Sequence, residues 1–272
     1  VPNSLYLQTK RAFETQWRDV PNGEFMLSDG WFKENVSRII AEEELQILPQ
    51  WFKGKKILDA GCGGGRWSYG FAQLGANVTC VDVNEAALKR TSEALSSFDV
   101  EKRFILAPLE NLNSVLSERD FDLVWSWGVL HHCQSFNAAL RSVTNHVKPG
   151  GVFYTYLYGR ESISYEDDIR LFKERVRYNY LLDEEAKYAY LLRRAGADTN
   201  RVHQLHDEIA PLMNRRLTEQ VVRSALEGLG FERIERVIES TELNIRAIKS
   251  GGAGLDSMML PHKSPPYWFQ HH

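Results

Sequence analysis

Lys55-Lys56-Ile57-Leu58-Asp59-Ala60-Gly61-Cys62-Gly63-Gly64-Gly65 joins a short apolar run to a cluster of glycines, and a helical pattern starts close behind it, near Trp67. Glycines let a backbone turn sharply and approach a ligand closely. The first turn of the following helix offers unpaired N–H groups to an anionic end. Four more apolar runs follow, at 78–83 (VTCVDV), 104–107, 123–127 and 152–158 (VFYTYLY). The last is entered through the turn Lys148-Pro149-Gly150-Gly151. Helical patterns separate them. Asn84 fits an N-cap with Glu85 in the first turn, Leu88, Leu95 and Phe98 follow at helical spacing, and residues 135–146 carry a further apolar face. Strands that are apolar throughout and alternate with helices predict a parallel sheet covered on both faces. Residues 218–229 read as a helix stopped by Gly230, followed by strand-like runs at 233–238 and 243–248.

The flanks extend this core. Residues 1–50 read as a helical cap with aromatic anchors Phe13, Trp17, Trp31 and Phe32, and 35–48 as one helix. Residues 51–158 are the core and 217–250 the end of its sheet. Between them, 159–216 is helix-prone, charged and neutral on balance, and is expected to act as a lid. Its Tyr165, Tyr178, Tyr180, Tyr188 and Tyr190 are candidates to cover an organic substrate. Residues 251–272 form a Gly- and Pro-rich tail whose last two residues, His271 and His272, resemble the start of a purification tag.

Composition narrows the function. The 272 residues are 43% hydrophobic and 25% charged, which suits a globular chain. A net charge of −3 supplies no global positive field for nucleic acid. Cys62, Cys80 and Cys133 are too scattered for a disulfide framework or a zinc site. No metal is expected. No apolar stretch reaches the length of a membrane span, and the sequence VPNSLYLQTK lacks the pattern of a secretory signal. A cytoplasmic protein without membrane insertion is the expectation. The sequence does not reveal an oligomeric state.

The loop does not fit the dinucleotide fingerprint G-x-G-x-x-G. Gly61 and Gly63 match, but the third position is Arg66, and a start at Gly63 puts Ser68 there. No G-x-x-x-x-G-K-[ST] occurs. Asp82, at the end of the second run, can accept hydrogen bonds from both hydroxyls of a ribose. Nicotinamide-dependent enzymes share that feature, so it does not discriminate.

The chain resembles the class I S-adenosylmethionine-dependent methyltransferases. ILDAGCGGG is similar to the family's first motif, VTCVDVN to its second-strand acidic motif and LENL to its adenine-side loop. FDLVWSWGVLHHC is similar to its fourth strand and following turn, and VKPGGVF to the entry of its fifth strand. FETQW more weakly resembles an aromatic helix of small-molecule members. The resemblance implies a doubly wound, mostly parallel, seven-stranded α/β sheet of Rossmann-like type, with N-terminal helices and a helical insertion. It implies S-adenosylmethionine as cofactor. Gly61, Cys62 and Gly63 would line its methionine portion, with Asp59 anchoring that loop or reaching the ammonium. Asp82 would bind the ribose, Val83 would pack beside the adenine, and Leu109 would offer its N–H to the ring. Ser126 and Trp127 would present backbone at the methionine end. Where the family often carries an Asp for the adenine amino group this chain has Pro108, and Glu110 is the candidate replacement.

Methyl transfer from a sulfonium is an in-line displacement in which the protein supplies orientation and a dry pocket. A hydroxyl acceptor calls for a base. His131 and His132, directly after the fourth strand, are the candidates. Trp17 and Tyr158 are expected to face a small-molecule acceptor. Ser264-Pro265-Pro266-Tyr267 matches a motif of nitrogen methyltransferases, but it lies after the last strand rather than the fourth and is not read as catalytic. The reading is a methyltransferase acting on an oxygen. The alternatives are an NAD(P)-dependent oxidoreductase and a non-catalytic S-adenosylmethionine-binding protein.

Overall fold

The computed structural model describes residues 4–20, 25–252, 255–261 and 268. Ser264 to Tyr267, His271 and His272 lie outside the described residues. The apolar runs form the parallel part of one seven-stranded sheet: β1 (Lys56–Ala60), β2 (Asn77–Asp82), β3 (Lys102–Leu106), β4 (Phe121–Trp127) and β5 (Val147–Leu157). The last two strands are β6 (Phe231–Arg236) and β7 (Leu243–Lys249). The order is β3-β2-β1-β4-β5-β7-β6, with β7 antiparallel to both β5 and β6. β1 therefore lies between β2 and β4, so successive connections leave it in opposite directions. Open α/β sheets bind ligands at the carboxyl ends of the strands beside such a switch point.

The helices are α1 (Ser4–Asp19), α2 (Gly30–Arg38), α3 (Arg66–Gln73), α4 (Glu85–Ala94), α5 (Leu112–Val115), α6 (Phe136–Thr144), α7 (Tyr165–Tyr180), α8 (Glu184–Arg194), α9 (Val202–Ile209) and α10 (Glu219–Gly228). Side-chain caps set several starts. Ser135 accepts from the Ala138 N–H at 3.3 Å, Ser164 from Asp167 at 3.1 Å and Asp183 from Ala186 at 3.0 Å. Asn84 holds the cap position of α4 without a side-chain capping bond. No described helix is long and apolar enough to cross a membrane.

Period-2 alternation along the strands feeds two apolar layers. Ile57, Leu123, Trp125 and Tyr154 face one layer, with Phe32, Val36 and Phe71 of α2 and α3. Leu58, Val124 and Phe153 face the other, with Leu140 of α6 and Leu226 of α10. A third cluster joins Ala12 of α1 to Leu171, Leu191 and Ile209 of α7, α8 and α9. Thus α1 packs with the 159–216 segment, whereas α2 packs on the sheet. Gln8 reinforces the first union by donating to Asn179 Oδ1 at 2.6 Å and accepting from the Leu212 N–H at 2.9 Å.

One local expectation changes. Residues 35–48 are not one helix. α2 stops at Arg38 and the chain widens into a π-turn, Ile39–Glu44, closed by the Leu45 N–H on the Ile40 carbonyl at 3.0 Å. The wider turn carries Glu44, fully buried, to a set of waiting donors. Trp125 and Trp127 stand two apart on β4 and so share a face, both packing on Trp67 at 5.4 and 5.3 Å. What separates them is depth. Trp125 is fully buried, and Trp127, at the strand's end, is half-buried and reaches the ligand edge.

Candidate active site

A chamber of about 380 Å³ opens at the carboxyl ends of β1, β2 and β4. Its floor is the glycine loop. The Gly61 and Cys62 N–H groups both donate to the Val81 carbonyl, at 2.8 and 3.0 Å, which pins the loop to β2. Gly61 has φ +90°, and a Cβ there would come within 2.4 Å of the Val129 side chain. Gly63 has φ +53°, and a Cβ there would come within 2.6 Å of the Trp17 ring. Only glycine permits both the turn and this close cover.

Asp82, nearly buried at the end of β2, accepts the Gly63 N–H at 3.0 Å and the Asn84 N–H at 2.9 Å. Burial pushes its carboxyl up, and those backbone N–H groups oppose the shift. Each carboxylate oxygen keeps a further lone pair for a ligand. Beside it, Asn84 Oδ1 is buried without a hydrogen-bond partner. A buried acceptor of this kind costs free energy until a donor arrives. Glycine cradle, carboxylate and orphaned amide oxygen together fit a ribose-bearing ligand.

Gly61, Cys62, Gly63, Asp82, Val83, Leu109, Glu110, Trp127, His132, Trp17 and Tyr158 all line the chamber. Glu110 is half engaged, accepting the Ser135 N–H at 3.2 Å. Asp59, Ser126 and His131 are not among the lining residues. Ser126 is buried and donates to the Ala60 carbonyl at 3.0 Å. His131 is fully buried, with its ring 4.1 Å from that of His132 and 4.0 Å from that of Tyr158. Burial and the neighbouring His132 hold it well below the usual histidine range.

Asp59 works beneath the loop. It accepts the Ser68 hydroxyl of α3 at 2.5 Å and is pushed up to about 7 by burial, against the pull of that hydroxyl. Its folded value lies above its unfolded value near about 3.9, so its contribution to stability is complete at low pH and is lost as pH rises towards 7. Asp59→Asn removes that titration. Relative to wild type, the variant should gain about 2–3 kcal/mol between pH 5 and pH 8 in urea unfolding. A difference that stays flat with pH would show that Asp59 titrates as an ordinary carboxyl.

His132 has the geometry of a hydrogen-bond acceptor. Its Nδ1 lies 2.6 Å from the Met213 carbonyl, which can only accept, so Nδ1 carries the proton. Nε2 is then a bare lone pair, buried and without a partner. Burial lowers the ring to about 4, so it is neutral at pH 7.

The roof comes from α1 and the 159–216 segment, but not through the tyrosines expected there. Tyr165 and Tyr180 point to solvent, and Tyr178 and Tyr190 pack within the helical cluster. The roof residues are Gln16, Arg175, His203, Gln204, Asp207 and Arg216. Gln16 Nε2 meets His203 Nε2 at 2.9 Å, which closes α1 onto α9. Asp207 accepts the Tyr158 hydroxyl at 3.2 Å and is pushed up to about 6 by burial. Arg66 lies over the Trp127 ring at 4.6 Å. Glu44 holds Trp127 from behind at 3.4 Å while accepting from Trp268 at 2.8 Å, Asn244 at 3.1 Å and Tyr154. None of these charged residues was legible from spacing. The triplet Glu42-Glu43-Glu44, interrupting an apolar helical pattern, was the one available signal. Among the described residues, no group of three or more His, Cys, Asp or Glu is arranged to hold a metal ion.

Residues 57–151 match the family model described as a methyltransferase domain. The sheet order above is that of the Rossmann-like methyltransferase fold, in agreement with this match. Ubiquinone biosynthesis O-methyltransferase of Pseudomonas entomophila is 42% identical over 105 residues, covering 38% of this chain and 44% of that protein. The protein of the same name from Bordetella avium is 37% identical over 118 residues, covering 42% and 48%. The chain thus spans about half the length of the curated relatives it matches. Two solved structures share the fold over nearly the whole chain. The 1,6-didemethyltoxoflavin-N1-methyltransferase of Burkholderia thailandensis has TM-score 0.56 at 17% identity and covers 92% of this chain and 91% of its own. The N-methyltransferase NodS of Bradyrhizobium japonicum has TM-score 0.55 at 15% identity and covers 90% and 100%.

Proposed function

We propose that this protein is an S-adenosylmethionine-dependent methyltransferase that methylates an oxygen of a small-molecule acceptor. One observation carries the reading: a positive-φ glycine loop, a buried Asp82 and an orphaned Asn84 oxygen open together into a roofed chamber at the switch point of the sheet. When bound, S-adenosylmethionine supplies a methyl group on a positively charged sulfur. Gly61, Cys62 and Gly63 cradle its methionine portion, Asp82 holds the ribose, and Val83 and Leu109 flank the adenine. Trp127, Tyr156 and Tyr158 wall the acceptor end, and the 159–216 lid excludes water from it. His132 receives a hydrogen bond from the acceptor hydroxyl at Nε2 and so aims its oxygen. The relatives named O-methyltransferases support oxygen as the acceptor atom.

The expected test result separates the two histidines. His132→Ala should lower turnover roughly 10²-fold through lost positioning, with S-adenosylhomocysteine affinity unchanged. His131→Phe should keep turnover within a factor of about 3, since a ring of similar size fills the same buried site. Acceptors for the assay come from a cell-extract screen with labelled cofactor. Equal losses in both variants, or none in His132→Ala, would remove His132 from the reaction.

A further inference from the structure

Three arginines line the acceptor end of the chamber, and they differ in how they are satisfied. Arg66 donates to the Phe25 carbonyl at 3.1 Å and lies over Trp127. Arg216 donates to Ser162 and has Asp168 and Glu242 carboxylates at 3.8 and 3.9 Å. Arg175 is different. It is 3% exposed, its Nε donates to the Glu208 carbonyl at 3.0 Å, and its Nη2 is buried with no hydrogen-bond partner. Among the described residues, no carboxylate lies within ion-pair distance of it. A buried guanidinium without a counter-charge is costly, and the cost is removed by an anion that fills its fork.

The surroundings favour a bound anion over a missing protein partner. Burial is the main cause that lowers Arg175 and the Arg216 charge adds to it, while Glu208 and Asp168 pull the other way without pairing with it. The two nearby histidines are neutral, and His132 is itself lowered by the Arg175 charge. Arg175 borders both the chamber, with Tyr158, His132 and Arg216, and a shallow cleft with Leu5 and Asn214. The Asp207, Glu208 and Glu242 carboxylates line the same end. None of them pairs with Arg175, whose Nη2 stays open to an anionic ligand.

We infer that the methyl acceptor carries a carboxylate, and that Arg175 binds it from the lid. The inference rests on the methyltransferase reading and deepens it by naming the acceptor class. The roof then does more than exclude water. It selects acidic acceptors, and the lid is fully satisfied only when one is present.

The test uses the intact chain saturated with S-adenosylhomocysteine, and benzoate and 4-hydroxybenzoate as probes beside their neutral amides. Calorimetry and thermal shift should show each carboxylate binding at least tenfold more tightly than its amide. In Arg175→Met, that preference should vanish while S-adenosylhomocysteine affinity stays within a factor of about 3. Arg103→Met, at an exposed ion pair with Glu118, should keep the preference. Equal binding of acids and amides, no binding of either acid, or a preference that survives in Arg175→Met would overturn the inference. The wild-type comparison decides alone if Arg175→Met does not fold. Failure of S-adenosylhomocysteine to bind wild type would instead reject the methyltransferase reading itself.

Discussion

Glu44→Ala is expected to lower the unfolding free energy by about 3–5 kcal/mol, the largest stability effect of any single substitution considered for this chain. Glu44 is fully buried and accepts from Tyr154 of β5, Asn244 of β7, and the Trp268 and Trp127 indoles. Alanine would take this acceptor from the Tyr154 hydroxyl and the Trp268 indole, each worth about 1–3 kcal/mol, while the Asn244 amide keeps the Tyr154 oxygen at 2.9 Å, and water entering the vacated space would recover part of the loss. Burial pushes Glu44 up and its four donors pull it down. Glu44→Gln keeps one acceptor oxygen and should cost clearly less. The loss also reaches the site, because the carboxylate fixes Trp127 at the chamber wall. Urea unfolding of both variants is the check. An alanine variant within about 1 kcal/mol of wild type would mean that the cluster contributes little.

Asp82→Ala should weaken S-adenosylhomocysteine binding by about 1–3 kcal/mol, roughly 5- to 150-fold. Two effects add. The ribose hydroxyls lose a charged acceptor, and the Gly63 and Asn84 N–H groups lose the carboxylate that fixes the loop. The substitution lies at the carboxyl end of β2, outside the apolar layers, so circular dichroism should show an intact fold. Unchanged affinity would reject the placement of the ribose at Asp82.

The parallel sheet was legible because each strand is an apolar run bounded by turn residues, and the glycine loop because positive φ and close cover demand glycine. The lining positions Gly61, Asp82, Val83, Leu109 and Trp127 came from motifs in their expected order. What stayed hidden was set by long-range packing. Adjacent histidines look alike in sequence, yet the Met213 carbonyl, far along the chain, orients His132 and leaves His131 in the interior. The tyrosines of the 159–216 segment resembled a substrate cover, but helix rotation turned them to solvent or to one another and gave the roof to Arg175, Asp207 and Arg216. The π-turn that buries Glu44 breaks the 3.6-residue period on which the helix reading of 35–48 depended.

The central claim is that the chamber binds S-adenosylmethionine, and calorimetric titration of the intact chain tests it most directly. S-adenosylhomocysteine should bind in the micromolar range, on the order of −8 kcal/mol, and NAD+ should give no binding heat under the same conditions. Binding of NAD+ with none of S-adenosylhomocysteine would contradict the account and favour an oxidoreductase.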